Sequence, residues 1–338
     1  LKAGFCKRGA ELTKNLCLKY KLPYLQCGKL LVATDELEYQ RMVALQERCR
    51  ENQIEVELLN ESDLRTLEPH IVGVGALLVR STAITDFITI TATLLESFKK
   101  NNGVALMGAE VTAIEEDRKS VRVKSGNTTV ESSFIILCGG LMADRLARMM
   151  GIDLDFRIIP FRGEYYQLAP RFNNIVSHLI YPIPDPDLPF LGVHLTLMVN
   201  GTVTVGPNAV LGWKREGYGA LNFSLRDVSE MATFPGFWKV LRANLGTGAG
   251  EFLDSIYKPG YLKRVQKYCP QLKLADLTPY PAGIRAQAVM SDGELVHDFL
   301  FSETERSLHV CNSPSPAATS ALPIGAYLCD KAAEKFKL

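Results

Sequence analysis

Two stretches of this chain carry residue types that can do chemistry. The first is Cys311-Asn-Ser-Pro-Ser-Pro-Ala-Ala-Thr-Ser320, small residues and hydroxyls between a β-type run and a helix-type pattern reaching Lys335. Small side chains let backbone approach a ligand closely. The free N–H groups of a helix start, at the positive end of its dipole, favour an anion or an electron-rich carbonyl. Ser313 and Ser315 add hydroxyls, and Pro316 suits the first helical turn. An ordinary capped helix start fits the same residues. The second stretch is Pro281-Ala-Gly-Ile-Arg-Ala-Gln-Ala288, an arginine in an apolar strand that also contains a glycine. Charged side chains are rarely buried without a partner. Gly283 leaves room for a flat group, and Arg285 presents a planar fork suited to a carboxylate. A strand-end arginine reaching for water is the alternative. A hairpin at Asp292-Gly293 joins the two stretches. Together they imply a flat ligand between the Ala282–Arg285 backbone and the Ser313–Ala318 turn.

The elements that position these stretches alternate between helix and strand. Helices are expected over residues 1–22, 35–52, from Ser62 to before Pro69, and from an Asp86 cap to Lys100 with Gly103 as the stop. Strands are expected at 28–34, 76–80, 104–106, 110–116, 120–124 and 128–132. Phe134-Ile-Ile-Leu-Cys-Gly-Gly140 reads as a buried strand ending in two glycines, followed by a helix over 141–150. Residues 158–210 are strand-rich, with a turn at Asn200-Gly201 and a proline loop from Tyr181 to Pro189. Helical patterns fill 223–268, and strands return at 282–289, 295–301 and 306–311. The order implies two interleaved domains.

Composition bounds the function. A net charge of +1, with no basic cluster interleaved with aromatics, argues against nucleic acid. No apolar run is long enough to cross a bilayer, and no signal peptide is expected. The eight cysteines are irregularly spaced, without C-x-x-C pairs, and the five histidines lack metal-binding spacing, so no metal site is expected. Buried thiols in a reducing, cytoplasmic setting are the expectation. An α/β chain with a glycine-paired strand end invites a dinucleotide reading, but no acceptable G-x-G-x-x-G follows an apolar strand. Gly73-Val-Gly75 is not followed by a helix start, and Gly246-Thr-Gly-Ala-Gly250 has the wrong spacing. Either no dinucleotide binds or the phosphate loop lies upstream of Leu1; the first residues read as a helix without an initiator Met, which favours the second.

Further segments are distinctive in their order: Cys27-Gly-Lys-Leu-Leu-Val-Ala-Thr34, Pro160-Phe-Arg-Gly-Glu-Tyr165, Ile180-Tyr-Pro-Ile-Pro-Asp-Pro186, Pro189-Phe-Leu-Gly-Val-His-Leu-Thr196, Val205-Gly-Pro-Asn-Ala209 and Lys214-Arg-Glu-Gly-Tyr218. With the two stretches above, the chain resembles over nearly its full length the L-2-hydroxyglutarate dehydrogenase (oxidase) family, in its bacterial form, within the FAD-dependent D-amino-acid-oxidase superfamily. The resemblance implies an α/β (α+β) fold of D-amino-acid-oxidase type, N-terminally truncated, with a Rossmann-like FAD/NAD(P)-binding domain interleaved with an antiparallel-sheet substrate domain. The expected division is 1–27, 76–157 and 278–338 for the FAD-binding domain, and 28–75 and 158–277 for the substrate domain. It implies oxidation of L-2-hydroxyglutarate to 2-oxoglutarate with hydride transfer to flavin N5. Family members also begin with a strand, a phosphate loop, a helix and an acidic residue, none of which is in this sequence. Without that loop FAD binding is expected to be severely weakened.

In that resemblance Val111 faces the adenine through its backbone, and Cys138, Gly139 and Gly140 meet the nucleotide. For Gly139-Gly140 a plain strand-to-helix turn is the alternative. Gly283 and Ile284 border the isoalloxazine ring, and Ser313, Pro314, Ser315, Pro316, Ala317 and Ala318 hold its pyrimidine edge. Arg285 is the first choice for the α-carboxylate. Arg162 and Arg215 are candidates for the distal one, with hydroxyl donors from Tyr181 and Tyr165. A solvated charge is the alternative for Arg215. His194, in an apolar strand segment, is the candidate base, with a core histidine as the alternative. The implied partners are a small dicarboxylate, a quinone or oxygen as electron acceptor, and the inner membrane face as a peripheral contact. A glycine- or sarcosine-type oxidase and an inactive fragment unable to hold FAD are the competing expectations. The segments around Arg162, Tyr181 and His194 argue against the amine oxidase.

Overall fold

Lys29-Leu-Leu-Val-Ala33 and Gly75-Ala-Leu-Leu-Val79 are runs of apolar residues too short for helices, and both become buried strands paired antiparallel. They sit inside a nine-stranded sheet. The computed structural model describes residues 2–185, 192–208, 210–219, 222–242 and 258–337. In spatial order the sheet runs Val210–Leu211, Phe156–Leu168, Val203–Gly206, His194–Leu197, Leu179–Pro182, Lys29–Ala33, Gly75–Val79 and Glu57–Asn60. The long strand Leu277–Met290 pairs antiparallel with Phe156–Leu168 from Phe156↔Met290 to Leu168↔Leu277.

One face of this sheet is the main core. Leu30, Val32, Ile180, Leu195 and Val205 pack there on Tyr261 and Tyr268. Tyr261 belongs to the helix Lys258–Gln266. Each fully buried aliphatic side chain contributes about 1.5–3 kcal/mol of transfer free energy. The Tyr261 hydroxyl donates to the carbonyls of Glu164 at 3.0 Å and Val205 at 3.2 Å, tying the helix to the sheet.

A smaller sheet pairs Ser307–Asn312 in parallel with Ile135–Leu137 and antiparallel with Leu300–Glu303. The helix Ala321–Phe336 packs on it through Ile324 and Leu328, and the helix Lys2–Tyr20 meets it through Phe5 and Phe299. A three-stranded meander covers Ala113–Glu116, Val121–Ser125 and Thr128–Ser132. The expected division placed residues 76–157 and 278–338 with the cofactor part. In the structure Gly75–Val79 and Leu277–Met290 hydrogen-bond into the nine-stranded sheet. No helix among the described residues is long and apolar enough to cross a membrane.

Several elements differ from the sequence reading. Residues 104–106 form no strand, because a strand needs a neighbour for its N–H and C=O groups and none is beside them among the described residues. Val104 and Leu106 are exposed. Ile135–Leu137 likewise pairs on one edge only among the described residues. The strand expected over 295–301 shortens to Leu300–Glu303, and Glu57–Asn60 is an unexpected strand. The final helix begins at Ala321, so Ser313–Ser320 is a loop that precedes it. The helical pattern over 223–268 resolves into Leu225–Ala232, residues 235–242 and Lys258–Gln266. The distal part of the proline loop and Gly246–Gly250 lie outside the described residues.

Replacing Tyr261 with Phe removes the donor shared by two carbonyls, so the unfolding free energy is expected to fall by about 1–3 kcal/mol in urea denaturation. An unchanged midpoint and slope would show that those carbonyls do not depend on it.

Candidate functional site

The two chemistry-bearing stretches meet at one cavity of about 260 Å³. Ile158 and Ala286 of the long ribbon form one wall, while Asn312, Ser313 and Ala317 form another. Cys138 and Gly140 close a third side, where the strand Ile135–Leu137 ends. Gly140 has φ +52°, and a Cβ there would meet no atom within 4 Å, so the turn presents bare backbone to open space. The amides of Ala317, Ala318 and Thr319 donate to no carbonyl or side chain among the described residues. These are unused donors in the turn before a helix, the arrangement expected for an electron-rich ligand edge. Asn312 fixes the wall: its Oδ1 accepts from the Ala288 amide at 3.3 Å, and its Nδ2 donates to the carbonyls of Val296 at 3.2 Å and Asp298 at 2.9 Å. Asn312 had been read only as part of the loop, although its position at a strand end next to small residues was visible.

Strand alternation sorts the neighbouring ribbon residues. Ile284 shares its side with Ala286, which lines the cavity; Gly283 and Arg285 turn to the other side, that of Gly163 and Phe161. A Cβ on Gly283 would touch only the Tyr165 ring, at 3.5 Å. The ribbon is therefore thin here, with Gly163 opposite Gly283.

On that second side the sheet register assembles a polar row. Tyr166 pairs with Val205, His194 with Gly206, Ile180 with Leu195 and Tyr181 with Leu31. Tyr165, Gly206, His194, Tyr181 and Leu31 thus run side by side across five strands, opposite to the apolar face. Gly206 has φ +143°, and a Cβ there would lie 2.6 Å from the Tyr261 hydroxyl and 2.8 Å from the Tyr165 ring. Only glycine lets the Tyr165 ring lie over this strand. The His194 and Tyr181 rings stack at 3.9 Å and 14°.

The His194 Nδ1 lies 3.0 Å from the Gly192 carbonyl. A carbonyl only accepts, so Nδ1 carries the proton and Nε2 is left as the acceptor. Burial, with a further push from the Lys29 charge, lowers the His194 pKa to about 4, against the opposing Gly192 bond. His194 is thus a neutral imidazole at neutral pH. Burial pushes the Tyr181 phenol up to about 12 and also raises that of Tyr165, so both stay protonated donors. Arg285 is partly buried, and burial lowers its guanidinium pKa.

The other two candidate arginines are drawn elsewhere. Arg162 shares its side of the ribbon with Ile284, not with Arg285. Its Nε donates to Glu164 at 2.5 Å, and Nη1 donates to the Gly217 carbonyl. Arg215 is 2% exposed and donates to both oxygens of Asp144, at 2.5 and 2.9 Å, to Glu230 at 3.3 Å and to the Leu141 carbonyl at 2.7 Å. Arg145 binds Asp227 and Glu230 in the same cluster. Burial works against the Asp144 carboxylate, but its Arg215 bonds outweigh that and hold its pKa below the usual range. The distal-carboxylate role expected for Arg215 is therefore corrected: its donors are spent in an ion cluster joining the 214–216 turn to the helices Ala143–Met149 and Leu225–Ala232. The solvated alternative fails too, because the side chain is buried. Val111 packs with Leu137, Leu146 and Ile114 beside the meander. Gly139 precedes the short 3-10 turn Gly140–Met142. Pro314 is buried, and Ser315, Pro316 and Ala318 complete the loop.

Comparison with known proteins adds an independent line. The family described as DAO, FAD dependent oxidoreductase, matches residues 1–331. The chain is 52% identical over 333 residues to the L-2-hydroxyglutarate dehydrogenase of Escherichia coli (strain K12), covering 98% of this chain and 79% of that protein. Among solved structures it resembles dithionite-reduced L-alpha-glycerophosphate oxidase from Mycoplasma pneumoniae with FAD bound. That match has a TM-score of 0.75 and 20% identity, over 95% of this chain and 77% of that one. It also resembles glycine oxidase from Geobacillus kaustophilus, with a TM-score of 0.65 and 14% identity, over 94% of this chain and 76% of that one.

Two outcomes follow. Replacing Arg215 with Met leaves the buried Asp144 carboxylate only the longer Arg148 contact at 3.6 Å and the Ile158 amide, so stability is expected to drop by about 3–5 kcal/mol in denaturant unfolding; an unchanged stability would return Arg215 to the list of ligand groups. For His194 the folded pKa of about 4 lies below the ordinary 6.5, so the unfolded chain binds more protons between those values. Stability is then full above about pH 6.5 and is lost as pH falls, by about 3 kcal/mol at pH 4. Unfolding curves of the unaltered protein and of His194→Gln should diverge by that amount from pH 7 to pH 4. Parallel curves would mean that His194 is not held neutral.

Proposed function

Because this chain belongs to the family of FAD-dependent oxidoreductases (DAO), we propose that it oxidises L-2-hydroxyglutarate to 2-oxoglutarate. Its mixed α/β architecture is that of the family's flavoenzymes, and its cofactor is FAD. The bare turn at Gly140, the unused amides at 317–319 and the cavity between them fit part of that cofactor. When bound, FAD supplies the two-electron acceptor for the hydride leaving the substrate carbon.

The residues act around it. In this reading Cys138, Gly140, Ser313 and Ala317 hold the cofactor, and the loop amides favour negative charge on its edge. Arg285 receives the α-carboxylate through its planar fork. The Nε2 of His194, neutral and unprotonated, accepts the hydroxyl proton. Tyr165 and Tyr181 donate to substrate oxygens and exclude water. The observation that supports these roles is the common sheet side of Arg285, Tyr165, His194 and Tyr181, adjoining the thin ribbon at Gly283. A quinone or oxygen would serve as the final electron acceptor, and a quinone would require peripheral contact with the inner membrane. The amine-oxidase reading rests on fold likeness at 14% identity, whereas the hydroxy-acid reading rests on 52% identity.

Anaerobic addition of L-2-hydroxyglutarate to the flavin-loaded, full-length protein should bleach the flavin band. Glycine and sarcosine should not. His194→Gln should slow that bleaching by about 10²–10⁴-fold. Bleaching by the amines and not by the hydroxy acid would overturn the reading.

A further inference from the structure

A dicarboxylate has a second charged end, and the two arginines read from the sequence for it are committed to Glu164 and Asp144. Among the described residues, Lys29 is a further cation on the polar side besides Arg285. Lys29 begins the strand Lys29–Ala33, two residues before Leu31, so it faces the side on which Leu31 neighbours Tyr181. Its Nζ stands over the Tyr181 ring, 5.4 Å from the centroid. It lies close enough to His194 for its charge to act on that ring. No carboxylate forms an ion pair with Lys29 among the described residues. The thiols of Cys49 and Cys6 act on its charge, and burial raises the Cys6 pKa, which keeps that sulfur neutral.

We infer that Lys29 receives the distal carboxylate of the substrate, across the Tyr165–His194–Tyr181 row from Arg285. This rests on the dicarboxylate reading above. The register supports it. Gly283 and Arg285 lie beyond Tyr165 along the Phe156–Leu168 ribbon in one direction, while Lys29 falls in the row on the other side, with Leu179 and Thr196. The two cations therefore flank the proton acceptor. A desolvated ammonium without a counter-ion is unfavourable, and burial lowers the Lys29 pKa accordingly. A ligand that brings its own negative charge reverses that cost. Lysine, a compact point charge with three rotatable donors, suits a single terminal carboxylate, whereas the fork of Arg285 fits a planar bidentate partner. The Tyr181 face keeps the Lys29 stem in place when the site is empty of substrate.

The test uses the full-length, flavin-loaded protein with two substrates of equal chain length, L-2-hydroxyglutarate and L-2-hydroxyvalerate, the second lacking the distal charge. Lys29→Met should lower kcat/KM for the diacid about 10- to 100-fold, mainly through KM, and leave the monoacid unchanged. Lys29→Arg should keep the preference for the diacid. Calorimetry should show glutarate binding weakened by a similar factor in Lys29→Met, and valerate binding unaffected. Lys29→Gln, with a flavin spectrum matching the unaltered protein, guards against a folding defect. Equal losses for both substrates, or no loss for either, overturn the inference and leave Lys29 as a prop for Tyr181. Failure of the unaltered protein to oxidise L-2-hydroxyglutarate overturns instead the reading on which the inference rests.

Discussion

A slip of one residue by His194–Leu197 and Leu179–Pro182 against their neighbours would turn His194 and Tyr181 into the core and Leu195 and Ile180 out of it. The register that prevents this slip is what the candidate site depends on. It is held from the apolar side. Leu30, Val32, Ile180, Leu195 and Val205 are each 0% exposed, and returning them to water would cost on the order of 10 kcal/mol together. Against that cost, the penalty of keeping a neutral His194 buried is affordable. The same packing that stabilises one side thus dictates the polar content of the other.

The rest of the fold fixes what meets that side. The Gly163–Gly283 pair makes the ribbon thin, and Gly206 lets the Tyr165 ring lie flat across its strand. Beyond the ribbon, Asn312 ties the strand Ser307–Asn312 to Ala288 and to the 296–298 segment, which sets the distance across the cavity. The Asp144–Arg215–Glu230 cluster does a different task. It replaces water around buried charges with fixed partners, so the 214–216 turn and two helices keep one arrangement. Such a cluster contributes little net stability when intact, but removal of one member is costly.

Much of this was legible in the sequence, for local reasons. Asn200-Gly201 and Asp292-Gly293 announce turns, and both glycines have positive φ. The Asp86 cap accepts from the Ile88 amide, as a capping residue does. Arg285 was visible as a charge within an apolar run. What was not legible depended on long-range pairing. Residues 104–106 have strand chemistry but no neighbour to bond. Pro316 resembles a first helical residue, yet the chain spends four more residues in turns before Ala321. Arg162 and Arg215 look like free cations until Glu164, Gly217 and Asp144 are placed against them. Lys29 looks like a solvated strand start until Tyr181, some 150 positions later in the chain, is paired beside its strand.

The central claim is that one side of the nine-stranded sheet receives the substrate. The most direct test is a crystal structure of the flavin-loaded protein with 2-oxoglutarate bound. The account predicts one carboxylate within hydrogen-bonding distance of the Arg285 guanidinium and the ligand lying over the Tyr165–His194–Tyr181 row. A ligand seated instead against Arg162 or Arg215, on the other side of the ribbon, would contradict it.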